Sequence, residues 1–195
     1  MTETAIILID CGYFDKINQY VQNTLGKKVS FEKLSKKITE GRTHIRTKIY
    51  HAPPYQSANP TEDEKEKYKR SQEFFKTINR IPRHQFVMVG RVKPIPVHCP
   101  KCKQDYMEPK QKGVDVAIAL DLVKMALKKT VDLFILISGD EDLSDAVEMA
   151  QEGSCNVIIY YCYDPDFKMF CSQKLRDTAS DRMQMDLQFL EDCTM

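Results

Sequence analysis

Four aspartates offer this chain its chemistry. Asp10 directly follows the apolar run ILI. Asp115 opens the stretch KGVDVAIALDLV, and Asp140 and Asp142 lie in ISGDEDL, just after LFILI. Three separate segments thus each end or begin an apolar element with an acid. Carboxylates gathered at one place repel unless protons or a cation offset them. An oxygen-only ligand set suits a hard divalent cation such as Mg²⁺ or Mn²⁺. A metal in such a cup can activate water and stabilise in-line displacement at phosphorus. Each acid also has a plain structural reading. Asp142 could cap a helix starting near Leu143, Asp115 could answer a helix dipole, and Asp140 could form a turn with Gly139. Asp10 has the least structural reason for its place. Asp121 lies about 120° from Asp115 on a helical wheel and shares a polar sector with Lys124 and Lys128. Its spacing suits a surface ion pair with Lys124.

A second group is Cys99-Pro-Lys-Cys102, with His98 beside it. The spacing is that of half a zinc ribbon, and a closed structural zinc site needs four ligands. A second chain could complete the set; a pair of free thiols and a reversible disulfide are the alternatives. The other cysteines, Cys11, Cys155, Cys162, Cys171 and Cys193, are scattered, several in or beside apolar runs that suit a small core residue. Seven cysteines without a framework point to a reducing, cytoplasmic setting.

The elements that must position these groups can be read from periodicity. Continuous apolar runs predict buried strands at Ala5–Asp10, Leu133–Ile137 and Cys155–Tyr161, with further strands at His44–Tyr50 and Gln85–Val89. Between them fall helices from about Tyr13 to Asn23, from Phe31 after an N-cap at Ser30, and over a long charged segment capped by Thr61. Others follow over Val114–Leu127 and Leu143–Gln151. Residues 91–111 carry prolines around HCPKC and no periodicity, which reads as an inserted loop. The tail from Gln173 reads as mixed helix. Alternating strands and helices imply one domain, 1–195, built on a mostly parallel sheet covered on both faces. Ligands of such sheets bind at the carboxyl ends of the strands, which is where the aspartates fall.

The chain has 195 residues and a net charge of +1, but its charge is unevenly spread. Residues 27–48 hold eight Lys/Arg against two acids, residues 76–112 nine against two, and residues 113–195 seven against sixteen. This asymmetry suits an anionic partner on one surface and a cation on another. No run approaches the ~20 apolar residues of a membrane span. The opening MTETAIILID has an acid before its apolar run and no basic segment, unlike a secretory leader. A P-loop and a nucleophile elbow are both missing from the sequence.

The segments ILIDCGYF, KGVDVAIALDLV and LFILISGDEDL, in this order and spacing, resemble the NYN domain, a branch of the PIN-like metal-dependent nucleases. SQKLRDTASDRMQ resembles the closing segment of that family. The resemblance implies a three-layer α/β/α sandwich in which Asp10, Asp115, Asp140 and Asp142 hold Mg²⁺ or Mn²⁺. Asp121 also falls on an acidic position of the family's helix. Ser138 matches a small polar position beside the cup, and Lys112 precedes the glycine of the same motif, where it could meet substrate phosphate. Many relatives carry asparagine where this chain has Tyr13. The implied function is a metal-dependent ribonuclease acting on single-stranded or structured RNA. The basic stretches, including Arg91 and Lys93, would track the backbone, and Tyr13, Phe14 and Tyr106 would offer stacking surfaces. The alternatives are a catalytically weak nucleic-acid-binding or protein-interaction module on the same fold, and a phosphatase of small substrates, which would have no use for long basic stretches. A homo-oligomer is compatible with either assignment.

Overall fold

The computed structural model describes residues 2–195. Six parallel strands form one sheet: β1 Thr4–Asp10, β2 Thr43–His51, β3 His84–Met88, β6 Leu133–Ile137, β7 Asn156–Tyr161 and β8 Asp181–Gln184. Their spatial order is β3-β2-β1-β6-β7-β8. The centre of the sheet is apolar because β1 and β6 are buried on both faces. Alternation along β1 separates two cores. Ala5, Ile7 and Ile9 join one, with Phe14, Ile17, Leu34, Ile38 and Ile78; Ile6 and Leu8 join the other, with Ile118, Leu122, Val147 and Leu175. Burying each of the Ile, Leu, Val and Phe side chains among these stabilises the fold by about 1.5–3 kcal/mol relative to exposure.

Helices cover both faces. On the first lie α1 Cys11–Leu25, α2 Phe31–Ile38, α3 Glu62–Arg80 and α7 Leu187–Glu191; on the second lie α4 Val114–Leu127, α5 Ser144–Glu152 and α6 Gln173–Thr178. The result is the α/β/α sandwich expected from the sequence. Helix starts follow their caps. The Ser30 hydroxyl accepts from Lys33 N–H, and Thr61 and Glu64 form a reciprocal capping box. Helix α1 begins at Cys11, two residues before its expected start, because Asp10 itself caps it.

Two expectations are corrected. Residues 91–111 are not a loop: β4 Arg91–His98 and β5 Asp105–Lys112 pair in an antiparallel ribbon. Most of its described residues are exposed or half-buried, so no core imposes an alternating pattern. Both of its strands are edges, where Pro94 and Pro96 are tolerated. Gly90 roots the ribbon at φ 74°, and a side chain there would meet the Lys112 carbonyl at 2.4 Å. The tail likewise contains a strand, β8, whose four exposed residues extend the sheet beside β7.

Candidate active site

The sheet runs outward in both directions from the β1–β6 pair: β1 leads to β2 and β3, β6 to β7 and β8. This is the topological switch point at which open α/β sheets leave a crevice. A cleft of about 910 Å³ opens there, and Asp10, Asp115 and Asp140 all line it. Asp10 ends β1. Asp140 follows β6 after Ser138 and Gly139, and Asp115 lies in the first turn of α4. Three of the four expected aspartates therefore converge on one cleft.

Local hydrogen bonds aim two of them. Asp10 accepts the Gly12 N–H on Oδ1 at 2.9 Å, and Asp140 accepts the Asp142 N–H on Oδ1 at 3.0 Å. In both residues Oδ2 stands outside that bond. Asp140, not Asp142, is the cap here: it begins a 3-10 turn, Glu141–Leu143, that leads into α5. Asp142 sits within the turn, outside the lining of the cleft, though its charge still raises the pKa of Asp115. Ser138 is fully buried, and its Oγ accepts the Asp140 N–H at 3.3 Å, so it orients the acid rather than meeting a substrate. Gly139 allows the close approach that this turn needs. A Cβ there would lie 2.5 Å from the Phe170 carbonyl and 2.7 Å from the Tyr13 ring.

The electrostatics are those of acids crowded together. Burial pushes Asp10 up to about 6, the charges of Asp115 and Asp140 add to the rise, and N–H groups of Tyr13 and Gly12 oppose it. Asp115 is raised by burial and by Asp140. Among the described residues, none of Asp10, Asp115, Asp140 and Asp142 makes an ion pair. An all-carboxylate donor set strained by its own charge fits a hard divalent cation. The cup is wide. Among the described residues, no three of these acids bring ligand atoms within 4.8 Å of one another, whereas Cys11 and Asp15 of α1 do so with His51 at the end of β2. Mg²⁺ tolerates such width because it keeps several of its waters.

Asp121 belongs elsewhere. It pairs with Lys48 and accepts the Tyr50 hydroxyl at 2.8 Å, outside the lining of the cleft. Burial pushes it up, but hydrogen bonds from Lys48 and Tyr50 outweigh burial and hold it below the usual carboxylate range. Its counter-charge is Lys48 on β2 rather than Lys124. Tyr13 is also corrected. Its ring lines the cleft, but it is buried and its hydroxyl is bonded to the backbone of Cys162, so it forms a wall and not a stacking platform. Phe14 is wholly buried in the core and offers no stacking surface, while Tyr106 is exposed on the ribbon. Lys112 lies outside the lining, at the root of the ribbon opposite Arg91.

Two cleft lysines carried no mark in the sequence as site residues, Lys16 and Lys110. Lys16 was legible in principle: it lies one helical turn after Gly12 and Tyr13, which flank the same edge. Lys110 depends on the ribbon. Register places Arg91 opposite Lys112 and Lys93 opposite Lys110, and strand alternation sets all four on one face. Gln111, on the other face, reaches His51 at 3.4 Å and ties the ribbon to the end of β2.

The family model described as NYN domain matches residues 4–184. A solved structure, that of a protein of unknown function from Vibrio parahaemolyticus RIMD 2210633, aligns over 100% of this chain and 97% of its own. Its TM-score is 0.59 at 21% identity, which shows a shared fold. No curated protein matches. Among the described residues, no helix is long and apolar enough to cross a membrane.

Proposed function

We propose, from the premise that this chain belongs to the NYN domain family, that it is a ribonuclease dependent on Mg²⁺ or Mn²⁺. One observation carries the proposal: Asp10, Asp115 and Asp140, from three separate segments, meet in one cleft at the switch point of the sheet, with no ion pair to any of them among the described residues. These three would hold the metal, and Asp142 adds negative charge from the adjoining turn. A divalent cation held there would supply Lewis acidity and lower the pKa of water, so that hydroxide is available to attack a phosphodiester. The Gly12 and Asp142 amides fix the carboxylates of Asp10 and Asp140, so the cup is organised before substrate arrives.

The substrate must reach an acidic cup, and the surrounding cations draw it there. Lys16 and Lys110 border the cleft. Arg91, Lys93 and Lys112 continue the positive face along the ribbon. Such a strip reads phosphates and not bases, so binding is weakly sequence-selective and strongly salt-dependent. Single-stranded or structured RNA in the cytoplasm is the corresponding substrate.

A second reading, a catalytically weak nucleic-acid-binding module, is favoured by one observation. Where many relatives carry an asparagine, this chain has Tyr13, whose hydroxyl is committed to Cys162. Cleavage of end-labelled single-stranded RNA separates the two. Wild type and Asp140→Asn are compared with Mn²⁺, Mg²⁺ or EDTA. Cation-dependent cleavage absent from the variant is the expected result. RNA retention without cleavage by either protein would replace the ribonuclease with the binding module.

A further inference from the structure

The ribonuclease reading leaves one group of residues unused: the two thiols at the tip of the β4–β5 ribbon. The tip is at the far end of the ribbon from Lys110 and Lys112. Cys102 is exposed and Cys99 half-exposed, whereas Cys11, Cys155, Cys162, Cys171 and Cys193 are all buried.

The turn is built to hold sulfur in place. The Cys99 N–H donates to the Gln104 carbonyl at 2.9 Å, and the Lys103 N–H donates back to the Cys99 carbonyl at 2.9 Å. Lys103 adopts a left-handed φ of 60°, which folds the chain back after Cys102. Below the turn, the His98 Nδ1 and Asp105 Oδ1 lie 2.8 Å apart and fasten the last pair of the ribbon. Two sulfurs on a C-x₂-C turn closed by these backbone hydrogen bonds are half of a tetrahedral zinc site.

The remaining thiols are buried in the body of the fold, so a four-thiolate site takes its second pair from outside the chain. A second copy supplies the same pair by two-fold symmetry, which makes the contact closed and self-complementary. Charge agrees with this assembly. A zinc ion bound by four thiolates carries a net charge of −2. Lys101 and Lys103 flank the sulfurs in the sequence of each copy and offset it. Without the metal, the same lysines oppose contact between tips, so the assembly requires the ion.

We propose that Cys99 and Cys102 from two copies of this chain bind one Zn²⁺ and join the two molecules tip to tip. Four thiols lose their protons to solvent, four Zn–S bonds form, and no sulfur is oxidised. Each partner keeps its own aspartate cleft, at the root of its ribbon.

The test uses the full chain, reduced and metal-free. Zn²⁺ is added in steps and mass is followed by sedimentation velocity; Co²⁺ is added in parallel and its thiolate-to-metal absorption recorded. The expected result is a twofold rise in mass, complete at one Zn²⁺ per two chains, and a cobalt band that saturates at the same ratio. Cys102→Ser, at an exposed position and checked for folding by circular dichroism, abolishes both. Cys11→Ser, which removes the sulfur beside Asp15 and His51, leaves both intact. A monomer at saturating zinc, saturation at one metal per chain, or a band that survives Cys102→Ser overturns the proposal. None of these outcomes depends on whether the chain cleaves RNA.

Discussion

The Tyr13 hydroxyl satisfies both polar groups of one residue: it donates to the Cys162 carbonyl at 3.1 Å and accepts the Cys162 N–H at 3.0 Å. Cys162 directly follows β7, so this side chain braces the first turn of α1 against the end of a strand two positions away in the sheet. Tyr13→Phe strands a buried N–H and a buried C=O, and each unsatisfied group costs about 1–3 kcal/mol. The expected outcome is a lower melting temperature with metal binding retained, read by calorimetric unfolding and Mn²⁺ titration. Unchanged stability would mean that the brace contributes nothing.

Asp10 makes the metal-free protein sensitive to pH in an unusual direction. Its carboxyl is raised from 3.8 to about 6 by burial and then by its acidic neighbours. Between those values the native state holds more protons than the unfolded chain, so stability falls as pH rises through this window. At neutral pH the cost is about 1–3 kcal/mol, given ~1.36 kcal/mol per pH unit. Asp10→Asn keeps an oxygen for the Gly12 N–H and removes the charge. It is expected to stabilise the metal-free chain at neutral pH, to flatten its pH dependence and to abolish stabilisation by Mn²⁺. Urea unfolding on either side of the window, with and without metal, measures all three.

Asp121 and Asp115 share one helix but should fail differently. Lys48 and Asp121 are 14% and 31% exposed, so Asp121→Ala leaves a largely buried ammonium without its partner. A loss of about 1–3 kcal/mol is expected, below that of a fully buried pair, with Mn²⁺ affinity unchanged. Asp115→Asn should do the reverse: little loss of stability and loss of metal binding. Isothermal titration beside denaturant unfolding distinguishes them. Equal losses of metal binding would return Asp121 to the cup.

The basic face of the ribbon predicts a salt signature. Replacing Arg91 and Lys93 by alanine should weaken RNA binding at low salt and reduce the slope of log affinity against log salt by about 1–2. Cleavage at saturating RNA should be unaltered. Fluorescence anisotropy across a salt series reads the slope, and an unchanged slope would remove the ribbon from the RNA path.

Legibility in the sequence followed the reach of the forces involved. Buried strands such as Leu133–Ile137 and caps such as Ser30 and Thr61 declare themselves within a few residues, and their elements stand where periodicity placed them. Asp10, Asp115 and Asp140 could be assigned to one sheet edge because parallel topology sends every strand end there. The partners of Asp121 could not be found, since Lys48 and Tyr50 lie 73 and 71 residues away and meet it only after β2 and α4 pack. Exposed strands were invisible for the opposite reason. Neither β8 nor the ribbon buries an alternating face, so nothing wrote a period into their sequences. Lys16 is one lysine among many in the sequence, and only the place of α1 beside the cleft distinguishes it.

The root of the ribbon has a consequence for how this fold can vary. Gly90 and Gly113 abut so closely that a Cβ on Gly113 would sit 3.5 Å from the Gly90 Cα. The chain leaves the body and returns at almost the same point, and closing a short or a long excursion between adjacent ends differs little in entropy. Residues 91–112 are in that sense a removable fitting. Shortening, exchanging or losing the segment by joining the two glycines gives up the Lys110 and Gln111 side of the cleft and the packing of Val92, while Asp10, Asp115 and Asp140 stay on elements outside it.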